Sequence, residues 1–180
     1  RRLDGVQEGL RRAEEIVRRV LAHADPSTTP LAPVDLGEVL EQSLGFVRQR
    51  IEFANILFDL DLPAEALRVR GNPAMLGQVF LNLLLNACEA QPKGGEVRVA
   101  LRREGSRGVV EIADRGPGVP PTASEKIFEP FYTTKNSTGL GLSICYAIAH
   151  RHDAELKVLD RQGGGAIFRL VFTKAEEMHA

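Results

Sequence analysis

Apolar positions along the chain change their period several times, and each period predicts an element. Leu3, Val6, Leu10, Ala13, Val17 and Val20 recur every three or four residues, one face of a helix. Its other faces carry Arg and acids, with Glu8–Arg12, Glu14–Arg18 and Glu15–Arg19 spaced i,i+4. A single apolar seam of this kind needs cover, either from a partner helix (upstream or on a second subunit) or from its own domain. A Pro-rich break follows at Ala24–Pro33. Asp35, with Glu38 three residues on, fits a capping box that opens a helix to about Arg48. Asn55–Asp61 alternates as a strand, with Ile56, Phe58 and Leu60 on one side, and Leu67–Arg70 is a second short strand. Asn72-Pro73 places an Asn cap before a Pro at the first helical position; this helix runs to about Ala90 and stops at the Gln91–Gly95 turn cluster. Strands follow over Glu96–Arg103 and Gly108–Ala113. Asp114–Thr138 reads as a long loop, and a helix runs from the glycines at 139–141 to about His150. Strands Glu155–Asp160 and Ala166–Phe172 flank Gly163-Gly164-Gly165. This order implies a mixed sheet with helices on one face, an α+β two-layer sandwich.

Composition narrows the partners. Among 180 residues, 43% are apolar and 26% charged, enough for a sizeable core. Lys plus Arg (23) nearly balance Asp plus Glu (24), which removes the electrostatic case for a nucleic-acid binder. No apolar stretch reaches about 18 residues, so no membrane span or direct membrane contact is expected of this sequence. Cys88 and Cys145 lie in apolar, helix-like runs and read as buried free thiols of a reducing compartment. The chain begins at Arg1 rather than Met and reads as a piece of a longer protein.

Candidate chemistry lies in four places. The helix over 73–90 is apolar nearly all round, yet Asn82, Asn86 and Glu89 form one stripe at i, i+4 and i+7. Burying such groups is costly unless each finds a partner. Either they bond neighbouring backbone, or they line a polar cavity whose oxygens suit a hard cation such as Mg2+. Asp114-Arg115-Gly116-Pro117-Gly118 follows an apolar strand; its carboxylate is acceptor-only and its glycines allow close backbone approach, so it is either a common turn or a contact for an exocyclic amine such as adenine's. Thr138-Gly139-Leu140-Gly141-Leu142 opens a helix, where free N–H groups and the helix terminus hold phosphate. In the loop between them, Phe128 and Phe131 flank Glu129-Pro130, followed by Tyr132-Thr133-Thr134-Lys135. This segment is either a solvent loop or a lid whose hydroxyls and ammonium meet terminal phosphates.

In this order, the four motifs resemble the ATP-binding (Bergerat) domain of the GHKL superfamily, and specifically that of sensor histidine kinases. The likeness covers about residues 35–172. Asn82–Ala90 resembles the N box, Asp114–Val119 the G1 box, Ile127–Lys135 the F box with the end of the lid, and Thr138–Ile144 the G2 box. The short lid ending in Thr-Thr-Lys is similar to the nitrogen-regulation type. The seam helix resembles part of a dimerisation and phosphoacceptor bundle, giving a division into 1–33 (bundle helix and linker), 34–174 (catalytic domain) and 175–180 (tail). The resemblance implies that Asp114 accepts the adenine amine, with Gly116 and Gly118 giving room. It implies that Asn86 ligates Mg2+, that Asn82 lies beside the phosphates, and that Lys135 offsets γ-phosphate charge, Asn82 and Lys135 being the catalytic pair. Gly139 and Gly141, with Thr138, Leu140 and Leu142, would hold the phosphates; Glu89, Val119, Thr133 and Thr134 would also touch nucleotide; Phe128 and Phe131 would tie the lid down.

The same resemblance implies function by contrast. Hydrolytic members place a Glu four residues before the metal-binding Asn; here that place is Asn82, and an amide is no general base, so transfer to a positioned histidine is expected. No His-Glu/Asp-x-x-Asn/Thr sequence occurs, and His23, His150, His152 and His179 do not fit a phosphoacceptor. The acceptor helix is therefore expected upstream, in a cytoplasmic homodimer relaying phosphate to a response-regulator receiver domain. Two departures stand out: Gly165-Ala166-Ile167-Phe168 lacks the hydroxyl usual after the glycine, and Glu89 stands where many relatives have Lys. The alternatives are an ATP-driven clamp and a degenerate interaction module.

Overall fold

The chain divides into two units, Arg1–Leu31 and Ala32–Ala180. A computed structural model describes residues 30–133 and 138–175; the seam helix, His23 and His179 lie outside the described residues.

In the second unit the elements run β1 (Ala32–Asp35), α1 (Leu36–Arg48), β2 (Ile56–Asp61), β3 (Arg68–Gly71), α2 (Pro73–Glu89), β4 (Gly95–Glu104), β5 (Arg107–Ala113), α3 (Gly141–Arg151), β6 (Ala154–Asp160) and β7 (Ala166–Phe172). Five strands form a mixed sheet in the order β2-β4-β5-β7-β6. β2 pairs parallel with β4, and the remaining pairs are antiparallel.

Side-chain alternation decides the sheet's two faces. Val97, Val99 and Leu101 of β4, Val110 and Ile112 of β5, and Phe168, Leu170 and Phe172 of β7 are buried in one core with Leu76, Val79, Phe80, Leu83 and Leu84 of α2. The opposite face carries charge: Arg98 pairs with Asp59 and Asp61, and Arg102 and Arg169 both pair with Glu111. A sheet wet on one face and covered by helices on the other is the two-layer α+β sandwich expected from the sequence.

The helix starts follow their caps. Asp35 accepts from the Gly37 N–H at 2.9 Å and starts α1. Asn72 accepts from Ala74 and Met75 at 3.0 and 3.1 Å, with Pro73 following, and starts α2. His152, at the end of α3, pins that start: its Nε2 accepts from the Asn72 N–H at 3.0 Å while Nδ1 lies 2.7 Å from the Ile148 carbonyl. Both cysteines are free and buried, and burial pushes each thiol up to about 12, out of reactive range.

Two expectations need correction. The end of the Pro-rich break is a strand: β1 pairs with β3, Pro33 opposite Arg70. The 114–138 segment is not one plain loop, since Pro121–Ala123 and Lys126–Phe128 form short 3-10 turns.

Candidate functional site

A cleft of about 340 Å³ opens beside α2. Its lining comes from five stretches of the sequence, and the helix stripe gives the first. Asn82, Asn86 and Glu89 line the cleft with Leu85 and Ala90, so the polar stripe on this apolar helix faces a cavity rather than core. Asn82 also reaches across, its Nδ2 lying 3.4 Å from the Gly141 carbonyl at the start of α3.

Asp114, just past β5, is only 3% exposed. A carboxylate so buried needs donors, and Oδ1 accepts from the Gly116 N–H at 2.8 Å and the Ala166 N–H at 3.4 Å. Its main chain is bonded on both sides, N–H to the Ala166 carbonyl at 2.9 Å and carbonyl from Arg161 at 3.1 Å. The β6–β7 turn packs against it. Gly165 has φ +103°, and a Cβ there would stand 2.7 Å from the Asp114 carbonyl carbon, so only glycine closes the turn.

At the other side, Thr138, Gly139, Gly141 and Leu142 line the cleft. Leu140 caps α3 with no side-chain bond, so the first N–H groups of an eleven-residue helix lie at the cavity wall with their partial positive charge. Among the described lining residues there is no Lys, Arg or His; Glu89 and Asp114 are the ionisable acids. The described residues hold no group of three or more His, Cys, Asp and Glu able to bind a metal alone. The Asn86 side-chain oxygen suits a hard cation that takes its other ligands from phosphates and water.

Residues 71–176 match the family described as histidine kinase-, DNA gyrase B-, and HSP90-like ATPase. The chain belongs to this family. It is a GHKL-type catalytic domain of the sensor histidine kinase kind, as its relatives show. It is 32% identical over 164 residues to sporulation kinase C of Bacillus subtilis, matching 90% of this chain but 38% of that protein. The fold aligns with mycobacterial sensor histidine kinase MprB at 33% identity and TM-score 0.74, covering 82% of this chain and 99% of the other. It aligns with histidine kinase ThkA, solved in complex with response regulator protein TrrA, at 28% identity and TM-score 0.76, covering 93% and 49%. The chain thus spans under two-fifths of the length of the curated relative.

In this ATPase-family cleft, eleven of the expected residues come together: Asn82, Asn86, Glu89, Asp114, Gly118, Val119, Thr133, Thr138, Gly139, Gly141 and Leu142. Thr134 and Lys135 lie outside the described residues. Gly116, Phe128, Phe131 and Leu140 do not line it. The glycines of the G1 box make room for protein as well. A Cβ on Gly116 would stand 2.7 Å from that of Ala90, and one on Gly118 would stand 3.0 Å from the Gly165 carbonyl oxygen. The two phenylalanines expected to tie the lid down differ in their settings. Phe128 packs on Tyr146 of α3 with ring centroids 5.4 Å apart. Phe131 adopts φ +68°, donates its N–H to the Gly139 carbonyl at 3.1 Å, and is 46% exposed. Ile127 and Tyr132, their neighbours, face the cleft instead.

Leu85, Ala90, Pro117, Ile127, Tyr132 and Phe168 were not expected there. Leu85 and Ala90 carry a readable signal, since they flank the Asn82–Glu89 stripe on the helix. Phe168 follows Ala166 by two residues on one strand face. Pro117, Ile127 and Tyr132 lie within the G1 and F boxes, but nothing local marks which residues of those boxes face the cleft.

Proposed function

We propose that this domain binds ATP with Mg2+ in the cleft and donates the γ-phosphoryl group to a histidine carried on a helix upstream of the described residues. The observation that carries this reading is the convergence, in one cavity, of an inward carboxylate (Asp114), an amide stripe (Asn82, Asn86) and an uncapped helix start (Gly141). Their chemistries match the three parts of the ligand in order. Asp114 accepts from the exocyclic amine of adenine. The α3 N-terminus takes phosphate oxygens, with Gly139 and Gly141 leaving its amides open. Asn86 faces the metal, with Glu89 one turn further along. When bound, Mg2+ neutralises charge on the phosphate oxygens.

Transfer is favoured over hydrolysis because, among the described residues, no general base is set beside the phosphates. Asn82 cannot abstract a proton near pH 7. Glu89 stands seven residues further along α2, about 10 Å along the axis at 1.5 Å per residue, toward the base end. Asp114 is engaged by two N–H groups. A nucleophile that brings its own reactivity, an imidazole nitrogen, fits such a site, because phosphoryl transfer needs chiefly positioning and charge stabilisation. Lys135 and Thr134, close to the cleft in sequence, are assigned to the γ-phosphate.

In the intact protein the acceptor helix forms a homodimer bundle, and an aspartate on a response-regulator receiver domain takes the phosphate onward. The regulator-bound ThkA relative supports that partner. No helix among the described residues is long and apolar enough to cross a membrane; we assign this domain to the cytoplasm. The test combines this domain, γ-labelled ATP with Mg2+, and the helical segment that precedes it in the full-length protein. Label on a histidine is expected; steady phosphate release with no labelled histidine would establish the ATP-driven clamp instead.

A further inference from the structure

The Asp114 peptide is held by a device that none of the cleft residues supplies. Arg161, in the β6–β7 turn, has a side chain only 13% exposed. Its NH1 donates to the Asp114 main-chain carbonyl at 3.1 Å, and its NH2 to Glu96 Oε1 at 2.7 Å. Arg115 reaches the same Glu96 oxygen through Nε at 3.3 Å. The Arg161 bond, with Arg115 adding to it, holds the Glu96 carboxyl below its usual range. Glu96 is itself anchored: Gln91, 6% exposed, accepts from its N–H at 3.1 Å and donates to its carbonyl at 3.2 Å. The same Gln91 amide donates to the Ala87 carbonyl, one residue beyond Asn86. A continuous line of bonds therefore runs from the α2 turn bearing Asn86, through Gln91, Glu96 and Arg161, to the main chain of Asp114.

We propose that Arg161, oriented by Glu96, is a positioning residue for base recognition. It fixes the Asp114 peptide so that the carboxylate meets the amine of the base, and it sets adenine selectivity rather than phosphate affinity. The Asp114 carbonyl that Arg161 grips is the one packed against the side-chain-free Gly165, so the peptide is fixed from two directions. A guanidinium suits the task because its fork spans two acceptors at once; an ammonium on a lysine stem presents one point of charge.

The inference rests on the nucleotide reading of the cleft, and the experiment separates the two. Calorimetry with Mg2+ compares ATP with a purine nucleoside triphosphate lacking the 6-amino group, for the unaltered protein, Arg161→Met, Arg161→Lys and Glu96→Gln, each first checked for a cooperative thermal transition. The unaltered protein is expected to prefer ATP. Arg161→Met is expected to weaken ATP roughly five- to tenfold, less than the full loss of a charge-assisted bond because the Asp114–base contact is loosened and not removed, and to leave the analogue unchanged. Glu96→Gln moves the same way by less, and Arg161→Lys recovers only part. Equal weakening of both nucleotides, or of neither, overturns the proposal. Should Arg161→Met not fold, Glu96→Gln decides alone on the same two criteria. Absence of any preference in the unaltered protein would instead overturn the role of Asp114, and the proposal with it.

Discussion

Replacing Asp114 by Asn changes one charge and almost no shape. The asparagine oxygen keeps the place of Oδ1, still accepting from Gly116 at 2.8 Å and Ala166 at 3.4 Å. Internal bonding at this 3%-exposed position therefore survives, and the thermal midpoint should move by only a few degrees. The other carboxylate oxygen becomes an NH2 group, a donor set against the amine donor of adenine. The loss is a charge-assisted hydrogen bond, about 1.5–3 kcal/mol, or about 10- to 150-fold in Kd. Calorimetric titration with a non-hydrolysable ATP analogue and Mg2+ at fixed salt reads this directly. A purine triphosphate without the 6-amine serves as control, because it offers no donor for the charge to hold, and its affinity should barely move. Unchanged ATP affinity in Asp114→Asn would refute the assigned role. Asp114→Ala would be less informative, since it strands the Gly116 and Ala166 N–H groups and mixes folding with binding.

Three further outcomes follow from the packing. His152 is held below its usual value by burial first, against the Ile148 carbonyl, with Arg151 lowering it and Asp153 raising it. Its stabilisation is complete above the unfolded value near 6.5 and is lost as pH falls below it, by up to about 1.4 kcal/mol per pH unit. Urea midpoints at pH 7.5 and 5.5 should therefore diverge more for the natural chain than for His152→Gln; equal divergence would contradict this. Gly165→Ala should cost on the order of 2–4 kcal/mol by clash with the Asp114 carbonyl, whereas Gly163→Ala, with open space around it at φ +87°, should cost about 1. Equal denaturation midpoints for the two variants would remove the argument for Gly165. Ala166→Thr places a hydroxyl in the cleft beside Asp114 and should tighten ATP a few-fold, roughly one added neutral hydrogen bond, by the same titration; weaker binding would show that the site has no room for it.

Local signals told most about elements and least about what fills the space between them. Asn72-Pro73 located the start of α2 to the residue, because cap and proline chemistry act within one turn. The period-two patterns of β4 to β7 located the sheet, because one face is buried and the other wet. β1 escaped because its Pro33 sits at the end of a Pro-rich stretch, and the pairing that makes it a strand comes from β3, more than thirty residues on. Phe131 reads by its residue type as an anchor; its left-handed backbone and its bond to Gly139 depend on a segment that no local pattern ties to it. Gly116 and Gly118 were legible as places needing no side chain; what occupies the space, Ala90 and Gly165, belongs to other elements. The Arg161–Glu96 pair spans 65 residues and follows no local pattern at all.

The central claim is that a single nucleotide lies across this cleft with its base at Asp114 and its phosphates at the start of α3. Titrating 15N-labelled protein with a non-hydrolysable ATP analogue and Mg2+ addresses it most directly. The amides of Gly116 and Ala166 at one end, and of Gly141 and Leu142 at the other, should shift together along one saturating curve. Shifts confined to one end, or to the charged face of the sheet, would contradict it.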